Sequence, residues 1–101
     1  MKIIYTKQGV SLAGEFRPAS IMEAKAFLKV IGSKVKSSKE FELDISHSVM
    51  MNSCFIMCLS LIMYKNPDVL FTVIIKKDKW NHESALRNFK TAGKKVTGRF
   101  V

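Results

Sequence analysis

The chain has 101 residues and a mass of 11.5 kDa, with 17 Lys and Arg against eight Asp and Glu, a formal charge of +9. That length supports one domain with one core and excludes two. Hydrophobic residues make up 48% and charged residues 25%, with five Gly and two Pro, which excludes a disordered, collagen-like or low-complexity chain and leaves the basic excess as the unusual feature.

Residues 3–6 and 10–13 read as two short strands, with Lys7, Gln8 and Gly9 as the tight turn of an antiparallel hairpin; Gly9 is expected to supply a positive φ. Ser20 followed by Glu23 has capping-box spacing. Ile21, Ala24, Phe27, Leu28, Ile31 and Val35 then recur at helical spacing, with Lys25, Lys29, Lys34 and Lys36 mostly on the other face. Gly32 weakens the interior of that helix. Residues 39–45 alternate, Phe41, Leu43 and Ile45 against Glu40, Glu42 and Asp44, which predicts a strand; residues 46–51 read as a loop. Ser53 opens an apolar helix over 54–64 that Asn66, Pro67 and Asp68 end. It is apolar nearly all round, so packing on more than one side is expected. The run 49–64 is too short, and too often broken by Asn52, Ser53 and Ser60, for a membrane span of about 20 residues.

Residues 69–75 are β-branched and aromatic, which predicts a central strand buried on both faces. Asn81 is placed to cap a third helix over 83–92, with Ala85, Leu86, Phe89 and Ala92 inward and Trp80 as a hydrophobic staple. Gly93 fits the left-handed C′ position, and Lys94 and Lys95 suit the negative end of the helix dipole. Residues 96–101 form a last short strand. The order β-β-α-β-α-β-α-β over residues 1–101 predicts a single α/β domain. Its mixed sheet has an N-terminal antiparallel hairpin, and right-handed crossovers set helices on the sheet faces.

Catalytic chemistry finds no support in this pattern. Cys54 and Cys58 lie four apart in an apolar run and read as small core hydrophobes, without the spread of a disulfide framework or the histidines of a zinc site. His47 and His82 stand apart and read as surface loop residues. Asp44, Ser46, His47 and Ser48 are close in sequence, but neighbours on a strand end point in alternate directions and make no triad. Glu42 and Asp44 read as a solvated face, and no glycine-rich phosphate loop is present. No enzyme activity, metal or cofactor is expected. Residues 1–7 lack the apolar core of a signal peptide, so a cytoplasmic location is expected.

The basic residues concentrate late. From Lys76 onward eight Lys and Arg stand against Asp78 and Glu83, a net of +6. Lys76, Lys77, Lys79, Arg87, Lys90, Lys94 and Lys95 read as a solvated basic patch, as a surface steering an acidic protein partner, or as a nucleic-acid footprint. One aromatic, Trp80, and no RNA-binding motif supply few stacking platforms.

Two short motifs carry a resemblance. Phe41-Glu42-Leu43-Asp44-Ile45-Ser46 has the form apolar-Leu-Asp-apolar and leads into a serine at a helix start, Met51-Asn52-Ser53-Cys54. Upstream, Leu12-Ala13-Gly14-Glu15-Phe16 is similar to a Leu-x-Gly-Glu-Leu that closes a second strand. In these motifs, and in element order over essentially the whole chain, the sequence resembles the STAS domain family, the bacterial anti-sigma factor antagonists and their relatives. Trp80 with residues 84–89 is similar to a STAS-like regulator subgroup. The resemblance implies a small non-catalytic regulator in signal transduction. Its helix-start serine, here Ser53, would be phosphorylated by a partner of the anti-sigma serine-kinase type, the phosphate toggling binding; a phosphatase is the other implied partner. Asn52 stands where the family usually has Asp, and Phe55 where Gly is common.

The implied contact surface comprises Asn52, Ser53 and Cys54, the loop with His47, Met50 and Met51, and the first-helix entry from Arg17 to Ser20. Ser53 also fits a plain helix N-cap. Met50 and Met51 fit either adaptable contact or core filling. Two other readings stay open: a nucleic-acid-binding module using the basic segment, and a scaffold subunit that dimerises through a sheet edge. Monomer and dimer are both compatible with the sequence.

Overall fold

The expected hairpin forms. In the computed structural model, which describes residues 2–17 and 21–101, β1 (Lys2–Tyr5) pairs antiparallel with β2 (Gly9–Phe16). Then follow α1 (Ile21–Lys36), β3 (Glu40–Met51), α2 (Ser53–Lys65), β4 (Leu70–Ile75), α3 (Trp80–Ala92) and β5 (Val96–Phe100). The expected capping box of Ser20 and Glu23 lies outside the described residues, as do the side chains of Ile21 and Phe27.

The five strands lie in the order β1-β2-β3-β4-β5, with every neighbour after the hairpin parallel. Each parallel step advances the same way across the sheet, so right-handed crossovers stack the three helices on one face rather than on both. The core shows this directly. Leu28 and Ile31 of α1, Phe55 and Leu59 of α2, and Leu86 and Phe89 of α3 cluster with the inward side chains of β2, β3 and β4. The other face carries Ser11, Glu42, Asp44, Thr72 and Arg99, tied by an Arg99 Nη2 to Glu42 Oε1 contact of 2.9 Å. β4 is accordingly not buried on both faces throughout: Phe71, Val73 and Ile75 pack under the helices, and Ile74 is buried behind them, but Leu70 is 38% exposed.

β3 is longer than its alternation predicts. Residues 46–51, expected as a loop, continue the strand along β2. The pairing runs Ser11 to Asp44 and then Ala13 to His47, and again Gly14 to Ser48 and then Glu15 to Met50. At each shift β3 carries one extra residue, so Ile45 and Ser46 are both buried and the period of two breaks. Gly14 sits at the second shift with φ 89, a conformation that favours glycine.

Gly9, by contrast, has no positive φ. It is required by proximity, since a Cβ there would lie 1.9 Å from the Glu42 carbonyl oxygen. Gly93 is likewise extended, at φ −97 and ψ 151, and its missing side chain makes room for Val96 and Met63. Gly32 has neither reason. It sits inside α1, where, among the described residues, a Cβ would meet only Ile62 Cδ1 at an ordinary 3.9 Å. Gly32→Ala should therefore stabilise the chain by about 0.5–1 kcal/mol, read as a higher urea midpoint at unchanged slope.

α2 lies between α1 and α3. Phe55, Leu59 and Met63 are buried, and Cys54, Ile56, Cys58 and Ile62 pack partly against the core. The expected packing on several sides is met on three of them. The outward stripe of Met57, Leu61 and Tyr64 is 53, 46 and 68% exposed. Among the described residues no helix is long and apolar enough to cross a membrane.

Candidate functional site

The parallel strands β2 to β5 all end at one edge of the fold, and the helices that follow begin there. The last of β2 and the start of α2 are joined by the Asn52 N–H donating to the Phe16 carbonyl at 2.9 Å. Arg17, which contacts Glu15 at 3.6 Å, is thereby set beside Asn52, and both its side chain and that of Glu15 are more than half exposed. Ser20 lies outside the described residues.

Asn52, not Ser53, caps α2. Its backbone is extended and its Oδ1 accepts from the Phe55 N–H at 3.0 Å. Ser53 is the first helical residue and is exposed. The reading of Ser53 as the N-cap is thus corrected by one position: both residue types cap well, and the strand ends one residue earlier than a serine cap needs. The first turn of α2 holds no acidic residue, and helix N-termini favour negative charge, so the Ser53 hydroxyl stands in the open where an anion is accommodated. This division of labour is measurable. Asn52→Ala should lower stability by about 1 kcal/mol, while Ser53→Ala should leave the thermal midpoint nearly unchanged.

The two methionines part company. Met50 is 37% exposed, whereas Met51 is half-buried against the core. Cys54 is also half-buried, and Cys54 and Cys58 are both free thiols. Burial, and then the neighbouring Cys54 thiol, push Cys58 above the ordinary thiol range, so it stays protonated.

His47 and His82 were both expected on surface loops. His47 is exposed but belongs to β3, beside a recess of about 360 Å³ on the uncovered sheet face with Lys76 and Arg99, apart from Ser53. His82 lies in α3 and is 1% exposed. Its Nδ1 accepts from the Lys76 N–H at 3.1 Å, and its Nε2 lies 2.8 Å from the Ser48 carbonyl. Because one partner can only donate and the other only accept, the ring is neutral with its proton on Nε2. Burial, reinforced by Lys79 and Lys76, lowers its pKa, against the opposing pull of the Ser48 carbonyl and Asp44.

The reason for a histidine here is the length of β3. Its pairing with β4 stops at Asp44, and beyond it α3 side chains take up strand carbonyls. His82 meets that of Ser48, and Asn81 Nδ2 donates to that of Val49 at 3.2 Å. Asn81 is therefore a tether inside α3 and not its cap; Lys79 holds the cap position without a side-chain bond. The Ser48 hydroxyl in the same place is buried without a hydrogen-bond partner among the described residues.

Trp80, expected as a staple, is 77% exposed on the first turn of α3. The Asn81 tether brings that turn against Val49, itself 56% exposed. Val49 is a surface residue that sequence reasoning did not place beside Trp80, because the contact joining their segments spans 32 residues of sequence.

The basic residues do not form one patch. Lys76, Lys77 and Lys79 follow β4 at the edge where α2 begins, with the Lys77 N–H on the Val101 carbonyl. The Lys95 carbonyl instead accepts from Phe71 at the start of β4, so Lys94 and Lys95 lie at the opposite end, and Arg87 and Lys90 stand along α3 between. Thirteen helical residues separate the two ends by about 20 Å. Among the described residues no three His, Cys, Asp or Glu side chains are grouped to hold a metal. Comparison of the chain with protein-family models, with curated proteins and with solved structures finds no match.

Proposed function

We propose that the chain is a small regulatory domain that works by binding rather than catalysis, a STAS-like module of the anti-sigma factor antagonist type. The observation that carries this reading is the exposed Ser53 at the first position of α2, relieved of capping by Asn52. A phosphate there adds about −1.5 to −2 charges at a helix N-terminus, enough to make or break an interface. The partner surface comprises Arg17, Met50, Asn52 and Ser53, extended by Val49 and Trp80. Lys76, Lys77 and Lys79 at the same edge steer an acidic partner of the serine-kinase or phosphatase type. Met51 and Cys54 serve the core instead. The order of five strands and three helices, with the serine two residues after the end of the longest strand, supports the resemblance read from the sequence.

The nucleic-acid reading needs a continuous track of cations for the phosphate backbone, and the two separated lysine groups make it the weaker of the two. Mass spectrometry of the protein from its native cell tests the switch. Phosphate on Ser53 whose occupancy changes with growth state is the expected result; an unmodified Ser53 peptide under every state sampled would sink it.

A further inference from the structure

The outer faces of α1 and α2 meet in an open groove of about 410 Å³, on the side of the helices away from the sheet. Leu28, Gly32, Leu61 and Ile62 form its apolar lining, and the exposed Lys25, Lys29 and Lys65 edge it from both helices. None of the lining residues is acidic, and among the described residues the salt bridges of the chain involve Arg17 and Arg99, not these lysines. The exposed stripe of Met57, Leu61 and Tyr64 continues the apolar surface along α2.

Gly32 is an independent pointer to the same place. A glycine inside a helix is unfavourable, and among the described residues no neighbouring atom requires it, since a Cβ would meet only Ile62 Cδ1 at 3.9 Å. Its effect is to lower the α1 wall of the groove. The missing Cβ leaves room for a side chain to approach the helix backbone there.

We propose that this groove docks an acidic amphipathic helix of a partner protein. The apolar ridge of that helix, at positions i, i+3, i+4 and i+7, lies over Gly32 and Leu61, and its flanking Asp and Glu reach Lys25, Lys29 and Lys65. Shape favours a helix over a bilayer: the site is a recess between two helices, which a ridge of side chains fills and a flat lipid surface does not. From Lys25 to Gly32 the groove follows α1 for about 10 Å, some two turns of a partner helix. The surface is separate from the Ser53 edge, so its failure leaves that reading untouched.

A synthetic helix with one leucine face and one glutamate face is a direct probe, followed by fluorescence anisotropy on the full chain. It should bind, more tightly as salt is lowered. Gly32→Leu, which fills the groove, should raise its Kd about tenfold or more, as should the double change Lys25→Glu with Lys65→Glu, whose exposed side chains leave the fold unaffected. The same helix with lysine for glutamate should not bind. Equal affinity for the parent and both variants would overturn the proposal. So would no binding of the acidic helix at all, or cosedimentation with phosphatidylglycerol vesicles by a chain that ignores it.

Discussion

His82→Ala is expected to destabilise the chain by about 3–4 kcal/mol, because it opens a cavity and strands a buried backbone carbonyl and a partly buried N–H at once. The groups are the Ser48 carbonyl and the Lys76 N–H, which the ring now links across β3 and the turn after β4. Against a total of about 5–15 kcal/mol for a domain of this size, the loss is large. The same ring makes stability depend on pH with a definite sign. In the unfolded chain a histidine titrates near 6.5, whereas burial holds the folded His82 below that. Above about pH 6.5 both states are neutral and the contribution is complete. Below it the unfolded chain takes up a proton that the folded ring refuses, so stability falls with a slope of up to about 1.4 kcal/mol per pH unit. The fall levels off once the folded ring itself titrates. Urea unfolding across this range should show the effect in the parent and lose it in the variant; parallel pH profiles would refute the assignment.

Gly9→Ala should cost about 3 kcal/mol or more, since the added methyl would overlap the Glu42 backbone where β2 begins to pair with β3. The clash involves the carbonyl oxygen, carbon and nitrogen of Glu42, so no side-chain rotation relieves it. The strands would have to part at the point where the Glu42 N–H donates to the Gln8 carbonyl at 2.9 Å. A lowered denaturant midpoint with early exchange of the Glu42 amide is the expected signature. A variant as stable as the parent would show that the strands do not approach as described. The opposite sign expected for Gly32→Ala makes the pair a test of why each glycine is there, not only of whether glycine matters.

Element order was legible because it rests on periodicity and turn residues. The alternation of Phe41, Leu43 and Ile45 and the helical spacing of Ala24, Leu28, Ile31 and Val35 both reappear as burial. What the sequence hid depends on contacts between distant segments. Two bulges disrupt the alternation of β3 after Ile45, so half of a twelve-residue strand reads as loop. His82 looks like any exposed histidine until β3 runs past the end of β4 and needs a donor for Ser48. Gly9 carries the turn signal, but its cause is the proximity of a neighbouring strand.

At the candidate site the sequence placed the serine in the right turn and assigned the cap one residue late. The difference matters, since a capping hydroxyl is engaged and the one found is exposed. The charge excess took a different meaning once folded. Lys76, Lys77 and Lys79, distant from Ser53 along the chain, follow a strand that ends at the same edge of the fold, while Lys94 and Lys95 are carried to the other end.

The central claim is that Ser53 controls a protein interface. Its most direct test is quantitative affinity capture from the source cell with three baits: the parent chain, Ser53→Ala and Ser53→Asp. The parent and Ser53→Ala should retain the same serine kinase or its phosphatase counterpart, and Ser53→Asp should retain it at least about tenfold less, the loss expected when a negative charge meets a fitted interface. Identical recovery on all three baits would contradict the account.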